Sequence, residues 1–471
     1  MPTTLLNTNR LADVATRGIG VPAYPRGGAI GVVHLGLGAF HRAHQALVFD
    51  ALLSAGDGRW GVLGVSMRNP AVADALAAQD GLYAVQVASA AGASWQVGGA
   101  IWQTCVAARE PARVIGAIAA PSTRWITLTV TEKAYGPALA DLIVDGLAAR
   151  HAAGLNGLTV ACCDNLSNNG RKLQALCTAT AAARSQALAD WINAACTFPN
   201  SMVDRIVPAA TPERLAAAAD ALGLPDHGAL GTEAFWEWVI ERRFVDDADG
   251  DLLAAHGATV VNDVAPFEEA KLRLLNGSHT AMACMGAVAG WPVISDCIAR
   301  PAMHQFIHAL MTQEVGPQLA RPDWPAYRDA LLQRFANPAL KHSVHQIASD
   351  SSQKVPQRWP PSIIGARRLG LPVEHLAFAA AAWMRYLRGS DEQGLRYTMD
   401  DPMAGELQPI ALAHVNDADA TVQALGTLST IWGDAVPHDA AWLARVAHWL
   451  AQIDAHGLLA ALAQLNFQNS S

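Results

Sequence analysis

The pattern of this chain changes near residue 265, and this change constrains its fold more than any other feature. Before it, short β-branched runs alternate with alanine-rich helical stretches, which is typical of a parallel sheet with helices on both faces. After it, long apolar-periodic stretches lie between proline-rich loops. We therefore predict an α/β N-terminal domain at residues 1–265, a mainly α-helical C-terminal domain at residues 266–471, and a site in the cleft between them.

Seven strands are predicted in the first half of the chain, with helices between them. The strands are expected at 30–35, 61–66, 82–88, 95–104, 124–130, 158–163 and near 202–207. Because residues 90–93 are too few for a helix, the strands around Val85 and Val97 are expected to form a hairpin. Helices are expected at 42–53, 111–119, 137–152, 170–195, 267–289, 301–312, 325–335, 373–388, 418–432 and 440–461.

Charge and composition exclude several classes of protein. The chain has 33 Lys and Arg against 41 Asp and Glu, and its basic residues are scattered, so the electrostatic footprint of a nucleic-acid binder is missing. The run 281–294 is interrupted by Gly and Pro and falls short of the ~20 residues that cross a bilayer. The seven cysteines form no CxxC pair, and residues 1–10 lack a secretory signal pattern. We expect a soluble, cytoplasmic protein without structural zinc, whose oligomeric state is open.

A strand beginning at Val32 leads through Gly36 and Gly38 into a helix. Gly36 permits a tight turn, and Gly38 lets backbone N–H groups approach a pyrophosphate at the positive helix end, as in Rossmann-like dinucleotide-binding domains. His41 stands where that fingerprint expects Gly or Ala, so the segment also fits an ordinary strand–turn–helix connection.

The end of the second predicted strand bears on the choice of cofactor. It reads Ser66-Met67-Arg68-Asn69 and lacks the acid that would accept hydrogen bonds from an adenosine ribose. Arg68 can instead meet a 2′-phosphate, or it can simply cap a solvated loop. At this point NAD and NADP both remain open.

Three polar residues mark the first helix of the second half. On an α-helix, Lys271, His279 and Asn276 lie at about 0°, 80° and 140° and share one broad face, where they can converge on one ligand. The apolar stretch 281–288 indicates that this helix enters the interior. In the alternative interpretation, Lys271 and His279 are solvated near a helix start and Asn276 caps a turn.

Further polar residues follow the predicted strands, where a doubly wound sheet binds its ligands. Thr131-Glu132-Lys133 follows the strand that ends at Val130, and Asp164-Asn165 follows the strand that ends at Cys163. Such residues are also ordinary turn formers. Asp204 interrupts an apolar run beside Arg205, so it is either half of an internal salt bridge or a group of the site.

These residues together identify a resemblance. The chain resembles the polyol-specific long-chain dehydrogenases along nearly its whole length. The residues that carry it are 36–45, 129–133, 202–206 and, above all, the spacing of Lys271, Asn276 and His279. The resemblance also accounts for His41, since the family's own fingerprint has this form rather than three glycines. It implies a metal-independent NAD(P)-dependent oxidoreductase of CH–OH groups, with NAD as the expected cofactor.

The resemblance implies a role for each polar residue of the site. Lys271 is the general base, which requires burial and the positive nicotinamide to lower its pKa from the usual ~10.4. Asn165 and Asn276 stabilise the alkoxide as neutral amide donors. His279 binds a substrate hydroxyl and Asp204 lies within the same network. Glu268, one turn before Lys271, is our own candidate for passing the proton to solvent.

The cofactor is assigned to the glycine turn and to the neighbouring strand ends. The residues are Gly36, Leu37, Gly38, Ala39, Phe40, His41, Arg42, Arg68, Thr131, Glu132 and Lys133.

The block 337–358 separates substrate subgroups, and it is similar to that of fructuronate reductases, as are 207–213 and 383–386. Some mannitol dehydrogenases carry Arg where this chain has Gln346. Lys354 and Arg358 can bind a sugar-acid carboxylate, or they can hold the helical domain to the sheet. We expect D-mannonate and D-fructuronate as the substrate pair, ahead of mannitol or arabinitol. A sensor without turnover is a remote alternative, against which the set of Lys271, Asn165 and Asn276 argues.

Overall fold

The computed structural model describes residues 4–89, 92–131, 134–338 and 341–468. The chain divides into two units, Met1–Ala265 and Pro266–Ser471. All strands of the described residues lie in the first unit: β1 (Val32–Leu35), β2 (Val62–Ser66), β3 (Tyr83–Ser89), β4 (Gly92–Gly98), β5 (Ile101–Val106), β6 (Trp125–Leu128), β7 (Thr159–Cys162), β8 (Ser201–Asp204), β9 (Leu230–Glu233), β10 (Glu237–Glu241) and β11 (Thr259–Val261).

Five parallel strands form the main sheet of the first unit, in the order β5-β2-β1-β6-β7. Successive residues of each strand point to opposite faces, so Val32 belongs to the core on one face and Val33 to the core on the other. Both faces are therefore covered, as the sequence pattern predicted. The chain turns from β1 outward to β2 and β5, and then to β6 and β7 on the other side, which places the topological switch point between β1 and β6.

Two three-stranded sheets complete the β structure, in the orders β4-β3-β9 and β11-β10-β8. The hairpin prediction is confirmed, because β3 and β4 pair antiparallel. The prediction of one strand at 95–104 is wrong, because β4 and β5 belong to different sheets. The chain bends at Gly98 and Gly99, where a Cβ would approach Tyr83 to 2.7 Å and Pro22 to 2.3 Å. Strands β9, β10 and β11 were not predicted.

Helices of the first unit cover the main sheet, and the predicted helix at 137–152 is confirmed. Two other predicted helices are each divided, at His44 and before Ser185, whose side chain accepts a hydrogen bond from Leu188 N and starts a new helix. The helices are α1 (Leu11–Ala15), α2 (Ala39–Ala43), α3 (Gln45–Ser54), α4 (Ala71–Ala77), α5 (Pro111–Ile118), α6 (Pro137–Ala152), α7 (Asn169–Ala182), α8 (Gln186–Ala195), α9 (Pro212–Leu222) and α10 (Ala248–Ala255).

The second unit is helical, as predicted. Its α-helices are α11 (Ala265–Ala270), α12 (Gly277–Val288), α13 (Ile294–Ile298), α14 (Pro301–Ala309), α15 (Trp324–Phe335), α16 (Val344–Ala348), α17 (Ser351–Arg358), α18 (Pro360–Leu369), α19 (Glu374–Tyr386), α20 (Ala404–Ala413), α21 (Ala418–Gly426), α22 (Ser429–Trp432), α23 (Ala440–His456) and α24 (Leu458–Gln468). Two π-helical segments, π1 (Lys271–Asn276) and π2 (Leu310–Val315), interrupt this pattern. Every residue of α12 is buried, so this helix forms the centre of the unit. In the described part of the chain, no helix combines the length and apolarity needed to span a membrane.

Candidate functional site

The turn between β1 and α2 is built on two glycines. Gly36 has φ +100°, and a Cβ there would lie 2.2 Å from the carbonyl oxygen of Thr129. Gly38 is the N-cap of α2, and a Cβ on it would meet only the Gly36 carbonyl oxygen, at 3.6 Å. The first N–H groups of a helix have no partner within the helix, so this turn leaves backbone donors open to an anionic group.

A buried imidazole supports this turn from within the sheet. Nε2 of His34 lies 3.0 Å from the hydroxyl of Thr129, which in turn donates to the Gly36 carbonyl at 2.9 Å. Nδ1 of His34 lies 2.8 Å from the hydroxyl of Thr127. Burial lowers the pKa of His34 to about 3, so the ring is neutral at physiological pH. The turn is thereby held by neutral hydrogen bonds.

The position of the His41 side chain follows from its contact with the same buried imidazole, His34. Its ring stacks on His34 with 3.3 Å between centroids and 10° between planes, and it is fully buried. Burial moves the pKa of His41 well below its usual value, and a hydrogen bond with the side chain of Gln45 offsets part of this shift. The side chain that replaces the fingerprint's small residue therefore packs inward, beneath the turn.

Arg42 is also directed into the protein. It is 5% exposed, its Nε donates to the Gly38 carbonyl at 3.2 Å, and its Nη1 donates to the carbonyl of Gly228. Tyr83 donates through its hydroxyl to the Arg42 carbonyl at 2.8 Å. The guanidinium thus fixes the start of α2 through backbone groups.

The other predicted cofactor residues that the structure describes occupy the same edge of the sheet. Leu37 is buried, Ala39 and Phe40 are half-buried at the start of α2, and Thr131 is exposed. Arg68 is exposed after β2, and it has no hydrogen bond or ion pair with the described residues. Glu132 and Lys133 lie outside the described residues. The glycine turn, its open N–H groups and the switch point beside β1 fit a dinucleotide.

A polar cluster follows β7. Oδ1 of Asp164 accepts a hydrogen bond from Val130 N at 2.6 Å, and Oδ2 accepts one from the Tyr135 hydroxyl at 2.5 Å. Asp164 is 6% exposed, and burial raises its pKa to about 7. The next residue, Asn165, is exposed. The sequence left Asp164 open between a ligand-binding position at a strand end and an ordinary turn former. An acid that follows a buried strand directly was a signal of the more specific role.

Asp204 is the last residue of β8 and is 6% exposed. Its neighbour Arg205 donates to the carbonyls of Ala43 and Glu233. The guanidinium of Arg205 therefore ties β8 to the end of α2 and to β9.

In the second unit, the predicted helix at 267–289 is interrupted by π1, which runs from Lys271 to Asn276. The prediction of a continuous α-helix is therefore wrong. In a π-helix the hydrogen bonds join residues five apart, so Lys271 and Asn276 lie on the same side, one turn from each other. The α-helical geometry assumed from the sequence separated them by about 140°. Both residues are half-buried, as is Glu268 on α11.

Neighbouring helices hold π1 in place. Arg273, which is 6% exposed, donates to the Ser362 hydroxyl at 2.9 Å, to Glu269 and to Gln318. At the junction with α12, Trp359 donates through its indole N–H to the Gly277 carbonyl at 3.1 Å. Arg273, Ser362 and Trp359 are buried, so their hydrogen bonds fix the irregular segment in the interior.

His279 lies one turn into α12 and is 9% exposed. Its Nε2 has no hydrogen-bond partner among the described residues, and its ring lies 5.2 Å from Phe335 and 5.6 Å from His342. Its pKa lies well below the usual value because of burial, and then because of His342, Arg334, Arg358 and Lys354. His279 is therefore a neutral imidazole in positive surroundings.

The sequence analysis missed two residues of these surroundings, Arg334 and His342. Arg334 lies next to Phe335 near the end of α15, and it is 6% exposed. The signal that could have identified it is its spacing, because Arg334 falls on the same helix face as Tyr327 and Leu331, where an apolar residue is expected.

The two predicted carboxylate ligands make different contacts. Nζ of Lys354 donates to the carbonyl of Ile347 at 3.1 Å and to that of Ser349. Nη1 of Arg358 donates to the Asn276 carbonyl at 3.1 Å and to the Thr280 hydroxyl. Within the described residues, neither cation forms an ion pair. Burial lowers the pKa of both, that of Arg358 to about 10.

Gln346 is exposed on α16, and its carbonyl accepts a hydrogen bond from the Ser349 hydroxyl at 2.8 Å. In the part of the chain that the structure describes, no group of three or more His, Cys, Asp or Glu side chains is arranged to hold a metal ion.

Comparison with known proteins gives matches along nearly the whole chain. The family models described as the mannitol dehydrogenase Rossmann domain and C-terminal domain match residues 30–250 and 263–454. A D-mannonate oxidoreductase of Escherichia coli (strain K12) is 39% identical over 92% of this chain and 95% of that protein. A mannitol 2-dehydrogenase of Phaeosphaeria nodorum is 36% identical over 98% of this chain and 86% of that protein.

A solved structure agrees with these matches. It is the mannitol 2-dehydrogenase of Pseudomonas fluorescens in a ternary complex with NAD and D-mannitol. Its chain is 32% identical to this one, with a TM-score of 0.79, and the match covers 98% of this chain and 99% of that chain.

Proposed function

Because the chain belongs to the mannitol dehydrogenase family of oxidoreductases, we propose that it interconverts D-mannonate and D-fructuronate with NAD as the cofactor. These compounds are the alcohol and the ketone of one linear sugar acid. The relative named D-mannonate oxidoreductase, at 39% identity, supports this substrate class.

One observation carries the choice of a sugar acid over a neutral polyol. Lys354 and Arg358 lie in the positive surroundings of His279, and neither forms an ion pair with a carboxylate of the described residues. Asp350 and Asp401 act on Lys354 only at longer range. Arg358 is half-buried, and a charge that has lost part of its solvation and has no counter-ion is costly. A substrate carboxylate supplies that counter-ion through charge-assisted hydrogen bonds. A polyol does not.

The cofactor fits the first unit. The backbone N–H groups after Gly38 would hold the pyrophosphate, and Gly36 allows the turn to approach it closely. When bound, NAD supplies the acceptor for the hydride that leaves the alcohol carbon. Arg68 is exposed and can bind the 2′-phosphate of NADP, so NADP remains an alternative to be measured.

The roles proposed for the chain's own residues follow the π-helical geometry. Lys271 removes the hydroxyl proton as the hydride leaves the carbon. Asn276, on the same side of π1, donates an amide hydrogen bond to the developing alkoxide, together with Asn165. His279 is neutral, so its open Nε2 can hydrogen-bond a substrate hydroxyl without adding charge. Glu268 passes the proton from Lys271 to solvent, and Asp204 belongs to the same network.

The test compares initial rates of reduction of D-fructuronate and D-fructose at equal concentration, each with NADH and with NADPH and without added metal. The expected result is turnover of D-fructuronate with NADH. Preference for D-fructose would establish a mannitol-type polyol dehydrogenase instead. Binding of NADH without turnover of either ketone would favour a sensor.

A variant pair tests whether charge determines that preference. Arg358→Met removes the proposed carboxylate ligand, whereas Arg388→Met removes another buried arginine, which is ion-paired with Asp454 at 2.7 Å. We expect only Arg358→Met to lower the ratio of kcat/KM for D-fructuronate to that for D-fructose. An equal fall in that ratio for both variants would contradict the assignment.

A further inference from the structure

One carboxylate connects the ends of two neighbouring strands. Asp164 follows β7, but its side chain bonds Val130 N at 2.6 Å and the Tyr135 hydroxyl at 2.5 Å, both of which follow β6. The Tyr135 oxygen also lies 3.0 Å from Sγ of Cys162, the last residue of β7. Asp164 thus joins the backbone after β6 to the backbone after β7.

A second buried side chain holds the same segment from the other side. Nδ2 of Asn169 donates to the Asp164 carbonyl at 3.1 Å and to the Ser201 carbonyl at 2.8 Å. Its Oδ1 accepts from Ser201 N at 3.0 Å. Ser201 is the first residue of β8, so the backbone around Asn165 is tied to strands on both sides.

We propose that Asp164 is a positioning residue, which fixes the backbone of Asn165 and of Val130 so that the Asn165 amide is aimed at the developing alkoxide. The inference rests on the proposed function, because only a hydride-transfer enzyme needs this amide. Asp164 itself touches no reacting atom in this account, and it acts through its neighbour in the chain.

The physical reason is the sensitivity of a neutral donor to its placement. An amide stabilises a developing oxyanion only if its N–H is oriented before the reaction, and a displacement of about 1 Å can cost about 100-fold in rate. Asn165 is exposed at the end of this segment, so the placement of its amide depends on the backbone that carries it. The hydrogen bonds of the buried residues Asp164 and Asn169 fix that backbone.

A matched control exists at the opposite end of the same strand. Asp249 is 1% exposed, and it accepts a hydrogen bond from the Trp125 indole at 2.7 Å, where β6 begins. Like Asp164, it is a buried carboxylate with a raised pKa that holds β6. It lies far from the carboxyl edge of the sheet, so its loss should reduce stability without affecting Asn165.

The experiment compares Asp164→Ala, Asp164→Asn, Tyr135→Phe and Asp249→Ala in the full chain. We expect Asp164→Ala to lower kcat for D-fructuronate by about 10- to 100-fold. Asp164→Asn should recover part of this loss, because its amide can accept from Val130 N and donate to the Tyr135 oxygen. Asp249→Ala should keep the kcat of the wild type. If Asp164→Ala does not fold, Tyr135→Phe decides the question by a smaller fall in kcat, because it keeps the ring and removes only the hydroxyl with its contacts to Asp164 and Cys162.

A double variant separates positioning from a general loss of structure. If Asp164 acts through Asn165, the kcat of Asp164→Ala combined with Asn165→Ala should be within about twofold of Asn165→Ala alone. If the double variant instead loses kcat by the product of the two single-variant losses, the two residues act independently and the proposal is overturned. A wild-type kcat in Asp164→Ala would also overturn it. If only Tyr135→Phe folds, a wild-type kcat in that variant has the same meaning.

Failure of the proposed function is recognised separately, because the wild type would then not reduce D-fructuronate. If it reduces D-fructose instead, the same variants are compared with D-fructose as the substrate. The remaining case is that the wild type reduces neither ketone. In that case hydrogen exchange decides whether Asp164 fixes the segment. Faster exchange of the peptides that contain Val130 and Asn165 in Asp164→Ala, but not in Asp249→Ala, supports the positioning role. Unchanged exchange overturns it.

Discussion

Replacing Gly36 with alanine tests whether the turn after β1 is the cofactor-binding feature. The residue has φ +100°, and an added Cβ would lie 2.2 Å from the Thr129 carbonyl oxygen and 2.8 Å from its carbon. Neither atom can move easily, because Thr129 N is itself bonded to the Leu35 carbonyl at 3.0 Å. The substitution therefore strains the backbone and also separates the ends of β1 and β6.

The substitution is expected to change both the stability of the protein and its affinity for NADH. A non-glycine residue in the left-handed region costs about 1–3 kcal/mol, and forcing a methyl group into a filled space costs a further 1–3 kcal/mol or so. A displaced turn also loses a charge-assisted hydrogen bond to the pyrophosphate, which is about 1.5–3 kcal/mol, or about 10- to 150-fold in Kd. We expect lower stability and weaker NADH binding together.

Gly56 provides the control. It has φ +94°, but no atom lies within 4 Å of the position that its Cβ would take. Gly56→Ala therefore carries the backbone strain without the collision. Urea unfolding gives the stability of both variants, and quenching of tryptophan fluorescence gives the Kd for NADH. If Gly36→Ala is no less stable than Gly56→Ala and binds NADH like the wild type, the role assigned to the turn is refuted.

Three further predictions address the base, the cation and pH. Lys271→Met should abolish turnover and leave the Kd for NADH within about threefold, whereas Lys172→Met, at an exposed position, should have no effect on rates. Arg358→Met should raise KM for D-fructuronate by about 10- to 100-fold in steady-state assays, and an unchanged KM would contradict its role. Burial raises the pKa of Asp50 to about 6, so the folded state retains a proton that the unfolded state releases, and stability falls as pH rises. Urea unfolding between about pH 4 and pH 7 should show a loss of stability that is smaller in Asp50→Asn than in the wild type by roughly 3 kcal/mol. The loss that remains comes from other buried acids with raised pKa, such as Asp164.

The parallel sheet was predictable because its signal is local. Strands buried on both faces read as continuous apolar runs, and β1, β2, β6 and β7 all have this form. The strands that were missed are short or mixed in character. β9 contains Gly231, Thr232 and Glu233, and it is a strand because it pairs with β3, which is more than a hundred residues away in the sequence. Tertiary pairing of this kind leaves no periodic signal in the sequence.

The site was predictable by residue type but not by geometry. Periodicity assigned Lys271, Asn276 and His279 to one helix face, and it could not reveal the π-helical turn between them. A π-segment is stabilised by contacts from elsewhere, here the side chains of Arg273 and Trp359, so its signal is spread over distant parts of the sequence.

Arg358 links the proposed substrate charge to the catalytic amide. Its Nη1 holds the Asn276 carbonyl and the Thr280 hydroxyl, and an arginine has further N–H groups with which to meet a carboxylate. A carboxylate bound there would also fix the guanidinium against the end of π1, and binding of the correct substrate would thereby help to hold Asn276 in place. A neutral polyol would not fix it. It follows that Arg358→Lys, which keeps the charge and loses the planar fork, should lower kcat as well as raise KM for the sugar acid, and that a change in KM alone would separate the two roles.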